Sequence, residues 1–247
     1  MPESATLDAN SGYIFVSNVN EYAKDGNGFI SRVSMDGTSV ELRWLDGLDS
    51  PTGLAVFNGL LYFADFDNLI VADLATAEIL GRYQAPDANP ALNDVAISPE
   101  GKVFVSGSGS NSIYHLNDNE LKTWKHDELL LAQANGLTIV GDYLVHGGKL
   151  WTVFNRHTAQ LAVGASKPAP ELERIDGITK DICGNYLITL IEDERLWRIA
   201  KDGSASPIED GPINGIDIHS HADLLIVPQV GGHLSLYRQE HYGCAAL

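Results

Sequence analysis

Five similar phrases along the sequence each place an oxygen-bearing side chain just before a run of apolar residues. The phrases PTGLAV, LNDVAI, ANGLTI, IDGITK and INGIDI begin at Pro51, Leu92, Ala134, Ile175 and Ile213. We call their second letter the slot position. It is filled by Thr52, Asn93, Asn135, Asp176 and Asn214, at intervals of 41, 42, 41 and 38 residues. Glu3, in the phrase PESATLD, extends the series towards the N-terminus.

The chemistry of these side chains favours a cation site. Two carboxylates that face one small space repel each other, which raises a pKa or recruits a cation. Oxygen-only ligands with about two negative charges suit a hard divalent ion, and a large, irregular set suits Ca²⁺ better than Mg²⁺. Zn²⁺ prefers His or Cys, which the slot position does not supply. The slot residues therefore predict a calcium site, provided that the fold brings them together.

The elements around the slot position repeat about every forty residues. Each unit contains short runs rich in Val, Ile, Tyr and Phe that are separated by Gly, Asn and Asp, a pattern typical of antiparallel strands. The most apolar runs are YIFVSN, LYFADF, KVFVSG, DYLVHG, YLITLI and LLIVPQ. Four strands repeated at this period indicate an all-β, six-bladed β-propeller. We expect residues 1–247 to form this single domain.

The sixth unit is the irregular one. It shows three clear strands, and too little chain precedes Glu3 to supply a fourth strand to it. Either that blade is short, or the natural protein begins further upstream.

A propeller would gather the slot residues at one mouth of its central channel, because the first strand of every blade lines the channel. The second strand returns to the same face. Its ends predict a second ring of side chains, made up of Ser17, Asp65, Ser106, His146, Thr189 and Pro228.

A simpler reading exists for some slot residues taken alone. Asn and Asp before Gly are common in turns, because they tolerate left-handed backbone and bond to their own main chain. This reading applies to Asn135, Asp176 and Asn214. It is weaker for Asn93, which precedes Asp94, and turn chemistry alone would not keep an oxygen donor at the position in all six units.

The overall composition limits the partners. With 33 acidic against 16 basic residues, the net charge is −17, which argues against binding to nucleic acid or to an anionic membrane. No apolar run is long enough to span a membrane, and no leader follows Met1, so a cytoplasmic or a periplasmic location both remain open. Two cysteines exclude a thiolate metal cluster.

At the motifs PES, LND, ANGL and IDGI, the chain resembles the calcium-dependent six-bladed propellers of the gluconolactonase and regucalcin type, with paraoxonases as distant relatives. The resemblance covers the whole chain. It implies Ca²⁺ as cofactor, with Glu3, Asn93, Asn135 and Asp176 as metal ligands. Sugar-lactone hydrolases of this type carry an Arg two residues before the third-blade Asn, where this chain has Ala91.

The function that this resemblance implies is the metal-dependent hydrolysis of a lactone or related ester. It suggests Asp176 as the general base, and His146 is the alternative because an ordinary imidazole titrates near neutral pH. His146 could equally be a strand-end histidine bonded to backbone. Position alone makes Asp65, Asp94, Ser106 and Asn214 candidate substrate contacts. The rival functions are a non-catalytic propeller that binds a protein or small ligand, and a lyase or condensing enzyme.

Overall fold

The computed structural model describes residues 1–162, 172–208 and 214–239. Their strands form six antiparallel sheets, each made of consecutive strands, and these are the blades of a six-bladed β-propeller. The predicted fold class is thereby confirmed.

The first three blades have four strands each. Blade 1 contains β1 (Pro2–Asp8), β2 (Tyr13–Asn18), β3 (Gly28–Ser34) and β4 (Val40–Leu48). Blade 2 contains β5 (Pro51–Phe57), β6 (Leu60–Asp65), β7 (Asn68–Asp73) and β8 (Ile79–Gln84). Blade 3 contains β9 (Leu92–Ile97), β10 (Val103–Gly107), β11 (Ser112–Asn117) and β12 (Glu120–His126).

Within the described ranges, two of the remaining blades have three strands. Blade 4 contains β13 (Leu137–Val140), β14 (Tyr143–His146) and β15 (Thr152–Asn155), and one bridge from Phe154 to Leu161 follows. Blade 5 contains β16 (Ile175–Lys180), β17 (Tyr186–Leu190), β18 (Asp193–Ile199) and β19 (Ala205–Pro207). Blade 6 contains β20 (His219–His221), β21 (Leu224–Gln229) and β22 (His233–Arg238). Blade 6 thus has three strands within the residues that the structure describes.

Apolar side chains between the blades hold the ring together. Each neighbouring pair of blades shares an apolar cluster, from the Phe15 and Phe63 cluster of blades 1 and 2 to the Ile14 and Ile226 cluster of blades 1 and 6. Because a blade is covered on both faces, its middle strands are apolar at nearly every position, as in VFVSG of β10. The four tryptophans, Trp44, Trp124, Trp151 and Trp197, pack in or against these clusters between blades.

The first strand of each blade, here called the inner strand, faces a central channel. A cavity of about 580 Å³ occupies this channel and is lined by residues of the inner strands of all six blades. None of the described residues forms a helix with the length and apolarity that a membrane crossing requires.

A buried arginine joins blades 3 and 4. The Arg156 side chain is 5% exposed. It donates two hydrogen bonds to the Glu100 carboxylate, at 2.9 and 3.1 Å, and one to the Gly141 carbonyl at 2.8 Å. We expect Arg156→Ala to lower the free energy of unfolding by about 2–3 kcal/mol, measured by urea denaturation, because charge-assisted bonds and buried packing are lost together.

The matched control for this substitution is Arg43→Ala. Arg43 also pairs with an acid, Asp46, but its side chain is 46% exposed, and solvent weakens such a pair. If both substitutions lowered the free energy of unfolding equally, the buried contact of Arg156 with Glu100 would have no specific role in stability.

Candidate functional site

Four slot residues sit in β-bulges at the start of the inner strands: Glu3, Thr52, Asn93 and Asp176. The ladder register shifts between Pro2 and Ala5, Pro51 and Leu54, Leu92 and Val95, and Ile175 and Ile178. Two inner-strand residues therefore oppose one residue of the second strand, and the first of the two is the slot residue. Bulges are common beside functional sites because they redirect side chains. Here they do so at the channel mouth.

Hydroxyl groups of the second strand satisfy the backbone at these bulges. The Ser4 N–H donates to Ser17 Oγ at 2.9 Å, the Asp94 N–H to Ser106 Oγ at 2.9 Å, and the Gly177 N–H to Thr189 Oγ1 at 2.8 Å. These bonds replace the ladder bonds that a bulge breaks. Ser106 is fully buried. The structure thus places this predicted substrate contact in the framework behind the mouth.

Four carboxyl groups from different blades lie within electrostatic range of one another: Glu3, Asp94, Asp176 and Asp217. Burial, and then the charges of the other three acids, raise the pKa of Glu3 well above its ordinary value. Burial and Asp217 raise the pKa of Asp176 to about 7, and burial raises the pKa of Asp217 to about 6. We call these four residues the acidic cluster. Such a cluster holds protons, or recruits a cation, near neutral pH.

The four acids differ in their hydrogen bonds. Asp94 accepts from the Val95 N–H at 2.7 Å and from the Leu137 N–H of the next blade at 2.6 Å. Asp217 accepts from the Ile218 N–H at 2.7 Å and from the Ser4 hydroxyl. Glu3 Oε2 is buried without a hydrogen-bond partner. Asp94 and Asp217 therefore join inner strands, whereas Glu3 carries an oxygen that no protein group satisfies.

Glycines let the inner strands approach closely at this level. A Cβ on Gly53 would lie 2.4 Å from Asp94 Oδ1, and one on Gly177 would lie 2.4 Å from Asp217 Oδ1. Contacts that short do not occur, so the Asp94 and Asp217 side chains each occupy space left by a glycine of the preceding blade. The same glycines follow Thr52 and Asp176, which explains part of the repeated sequence phrase.

The predicted metal ligands meet in part. Asn135 is 7% exposed, and its side chain hydrogen-bonds to Asp176, which in turn interacts with Glu3. Asn93 occupies the slot position of blade 3, where its carbonyl accepts a hydrogen bond from the Thr52 hydroxyl at 2.7 Å. The structure thus brings together Glu3, Asn135 and Asp176, and it keeps Asn93 at the equivalent position of its blade.

The described ranges contain no group of three or more His, Cys, Asp or Glu side chains in an arrangement that could hold a metal ion. The predicted ligand set has two such side chains, Glu3 and Asp176, since its other members are carboxamides. The calcium site stays a prediction.

Asn214 lies two residues before the slot position of blade 6. Ala91, Gln133 and Arg174, each two residues before a slot residue, have positive φ angles of 44°, 53° and 60°, and Asn214 has 55°. Gly215 pairs with Gln229, and the Ile216 N–H donates to the Pro228 carbonyl at 3.0 Å. Ile216 therefore occupies the slot position.

This corrected register reveals Asp217, which sequence reasoning missed. Ile216 follows Asp176 by 40 residues, closer to the other intervals than the 38 residues to Asn214. The regular spacing was therefore the signal that could have identified Asp217, which aligns with Asp94 as the residue after the slot.

His146 and Asp65 lie away from the second ring predicted for them. His146 opposes Leu137, as Val105 opposes Val95, so its side chain occupies a core position. Its Nδ1 lies 2.8 Å from Thr152 Oγ1, its Nε2 is buried without a partner, and burial lowers its pKa to about 3. Asp65, which is 2% exposed, accepts a hydrogen bond from the Ser50 N–H at 2.7 Å. Neither placement favours contact with a substrate.

A tyrosine from the loop between β2 and β3 lies beside the mouth. Tyr22 donates a hydrogen bond to the Leu92 carbonyl at 3.2 Å, and its ring stacks on Phe66 with centroids 5.0 Å apart. Burial, and then the charges of Glu3 and Asp65, raise the pKa of Tyr22. Tyr22 therefore stays a neutral hydroxyl and links this loop of blade 1 to blade 3 beside the mouth. Sequence reasoning missed it, although the loop's extra length marks the segment.

Comparisons with known proteins support the architecture. No protein-family model and no curated protein matches the chain. Virginiamycin B lyase from Staphylococcus aureus aligns with a TM-score of 0.66 at 15% identity, over 96% of this chain and 84% of that one. The WD40 β-propeller domain of Doa1 aligns with a TM-score of 0.71 at 14% identity, over 97% of this chain and 79% of that one. At such identities the likeness shows the fold alone, and the fold is shared by an enzyme and a WD40 domain.

Proposed function

We propose that this propeller is a divalent-cation-dependent hydrolase of a lactone or related ester, with its site at the acidic mouth of the channel. The observation that carries the proposal is the buried, unpartnered Glu3 Oε2 within the acidic cluster. A buried carboxylate oxygen without a donor costs free energy, and such groups in native proteins call for an explanation. A bound cation supplies one.

The donor set fits a hard cation. Glu3, Asn93, Asn135 and Asp176 would supply carboxylate and amide oxygens, which Ca²⁺ accepts in irregular geometry. Mg²⁺ demands stricter octahedral geometry, and Zn²⁺ would need imidazole or thiolate ligands. His146, the one histidine predicted near the mouth, lies at a core position instead. Ca²⁺ is therefore the cation that we propose.

When bound, the cation would polarise the substrate carbonyl and stabilise negative charge on its oxygen. Asp176 is the residue that we propose as general base, because its carboxylate lies in the acidic cluster and an oxygen that does not bind the cation would be free to take a proton from water. Asn135, hydrogen-bonded to that carboxylate, orients it. His146 is a weaker candidate, since a pKa of about 3 leaves it little basicity.

The experiment combines cation binding with substrate turnover. Chelator-treated protein is titrated with Ca²⁺ by calorimetry. It is then assayed with γ-butyrolactone and p-nitrophenyl acetate, with Ca²⁺ and with chelator. We expect one bound Ca²⁺ per chain and hydrolysis only in its presence. Ca²⁺ binding without turnover of any ester would favour a non-catalytic binding propeller.

The product distinguishes hydrolysis from the chemistry of a lyase. Hydrolysis adds the mass of one water to a lactone, whereas elimination opens the ring without changing the mass. Mass spectrometry of the γ-butyrolactone product, run in H₂¹⁸O, therefore tests the reaction class. Ring opening without ¹⁸O incorporation would overturn the hydrolase proposal.

A further inference from the structure

A second cavity begins at Asp176 and runs outward between blades 5 and 6. Its volume is about 450 Å³, and it is separate from the central channel cavity. Its lining includes Asp176, the aliphatic residues Leu190, Ile191, Ile216 and Val230, and the acidic residues 192–194. Because Asp176 is part of its lining, this cavity is a route by which a small molecule could reach that carboxylate.

The walls of this cavity are apolar. Ile191 and Val230 are 48% and 57% exposed, although large aliphatic side chains are usually buried. They face a cavity that also contacts Leu190 and Ile216, so four aliphatic side chains surround one space next to a carboxylate. Apolar walls with few polar groups are typical of small-ligand pockets.

The rim of the cavity is acidic. Glu192, Asp193 and Glu194 line it. Glu192 pairs with Arg174 and Asp193 with Arg195, while the Glu194 side chain is exposed. Together with the net charge of −17, the exposed Glu194 carboxylate makes this rim repel anions and attract cations. A carboxylated or phosphorylated substrate would meet like charge at Glu194 on this rim.

We infer that this cavity is the substrate pocket, and that it selects lactones or esters bearing an aliphatic or cationic substituent over those bearing an anionic one. The inference rests on the proposed function for the reaction at Asp176, and it adds the substrate class. The aliphatic part of the substrate contacts Ile191 and Val230, and the carbonyl end reaches the mouth.

The test uses lactones that share one ring. γ-Valerolactone carries a methyl group, α-amino-γ-butyrolactone an ammonium group, and 5-oxotetrahydrofuran-2-carboxylate a carboxylate. With Ca²⁺ present, we expect kcat/KM for the first two to exceed that for the carboxylate by about 10-fold or more. Glu194→Gln should narrow the difference between the ammonium and carboxylate substrates. The inference would be overturned if wild type hydrolysed the carboxylate with an equal or higher kcat/KM, or if Glu194→Gln left the ratio of kcat/KM between the ammonium and carboxylate substrates unchanged. The hydrolase proposal would stand in either case.

The apolar wall is tested with a matched pair of variants. Val230→Ser should raise KM for γ-valerolactone about 3- to 10-fold, because an aliphatic contact is lost. Val40→Ser changes an equally exposed valine on β4 of blade 1 and should leave KM unchanged. Equal KM values for the two variants would contradict the placement of the substrate.

A binding measurement separates failure of the pocket from failure of the reaction. The lactam 5-methyl-2-pyrrolidinone, which resists hydrolysis, should bind in saturation-transfer NMR, and Val230→Ser should weaken its binding. If no lactone is hydrolysed but the lactam binds to wild type and binds more weakly to Val230→Ser, the substrate-pocket inference is supported and the hydrolase proposal is refuted. If wild-type protein does not bind the lactam, the pocket inference falls.

Discussion

Asp176→Asn should reduce Ca²⁺-dependent lactone hydrolysis by about 10³-fold or more in kcat. An amide cannot take a proton from water, and general bases contribute about 10²–10⁴-fold to rates. The amide keeps one oxygen and suits the hydrogen bond from Asn135 less well, so cation affinity should also fall. The assay is therefore run at Ca²⁺ concentrations that saturate the variant, as determined by calorimetry.

The control for this substitution is Asp181→Asn. Asp181 is a buried aspartate of the same blade, 6% exposed, and it bonds to Asn185 away from the mouth. It should retain wild-type kcat even if its stability falls. Asp176→Asn with full activity at saturating Ca²⁺ would refute the base assignment. Unchanged Ca²⁺ affinity would refute Asp176 as a ligand.

The second large effect concerns stability in the presence of chelator. A carboxyl group with a raised folded-state pKa stays protonated in the folded protein while the unfolded chain ionises. Between the two pKa values, the unfolded state therefore binds fewer protons, and the free energy of unfolding falls as pH rises. For Asp176, the pKa rises from 3.8 to about 7, which corresponds to about 2–4 kcal/mol lost between pH 4 and pH 7. Glu3, Asp94 and Asp217 act in the same direction.

This loss is measured by urea denaturation in chelator at pH 5, 6, 7 and 8. Acids whose pKa is lowered, such as Glu100 with a pKa of about 2, titrate below this window. Two histidines oppose the loss below about pH 6.5, because burial lowers the pKa of His146 to about 3 and that of His219 to about 4 while the unfolded chain still binds their protons. The contribution of the acids is therefore taken from the difference between wild type and Glu3→Gln, in which the histidines cancel. Glu3→Gln should flatten the dependence, because it removes one of the repelling charges. Ca²⁺ at 100 times its Kd should add about 2.7 kcal/mol at pH 8. The same pH dependence in wild type and Glu3→Gln in chelator would show that the acids are not coupled as described.

The fold could be predicted because its signal is repeated. Each blade carries the same apolar runs, so an error in one unit is corrected by the others. Bulges have no comparable signal. His146 was assigned to the second ring by counting from strand ends, but the ladder of blade 4 pairs it with Leu137 and turns its side chain into the core. A shift of one residue reverses the face of a strand.

The ambiguity at Asn214 has a different physical origin. Asn is suited both to binding a cation through its amide and to left-handed backbone, and the phrase ING fits either use. Its φ of 55° shows that this Asn serves the backbone. The contact of Tyr22 with Leu92 joins residues 70 positions apart and depends on how the blades close, so no local pattern encodes it.

The hydrogen bond from the Ser4 hydroxyl to Asp217 joins the first blade to the last, across 213 residues of chain. A propeller is a closed ring made from an open chain, so its two end blades meet at a single seam. At this seam, blade 6 contributes Asp217 of the acidic cluster, and blade 1 contributes Ser4, which follows Glu3 in the sequence. Protons or a metal ion that neutralise the cluster therefore also stabilise the contact between the first and last blades, which closes the ring.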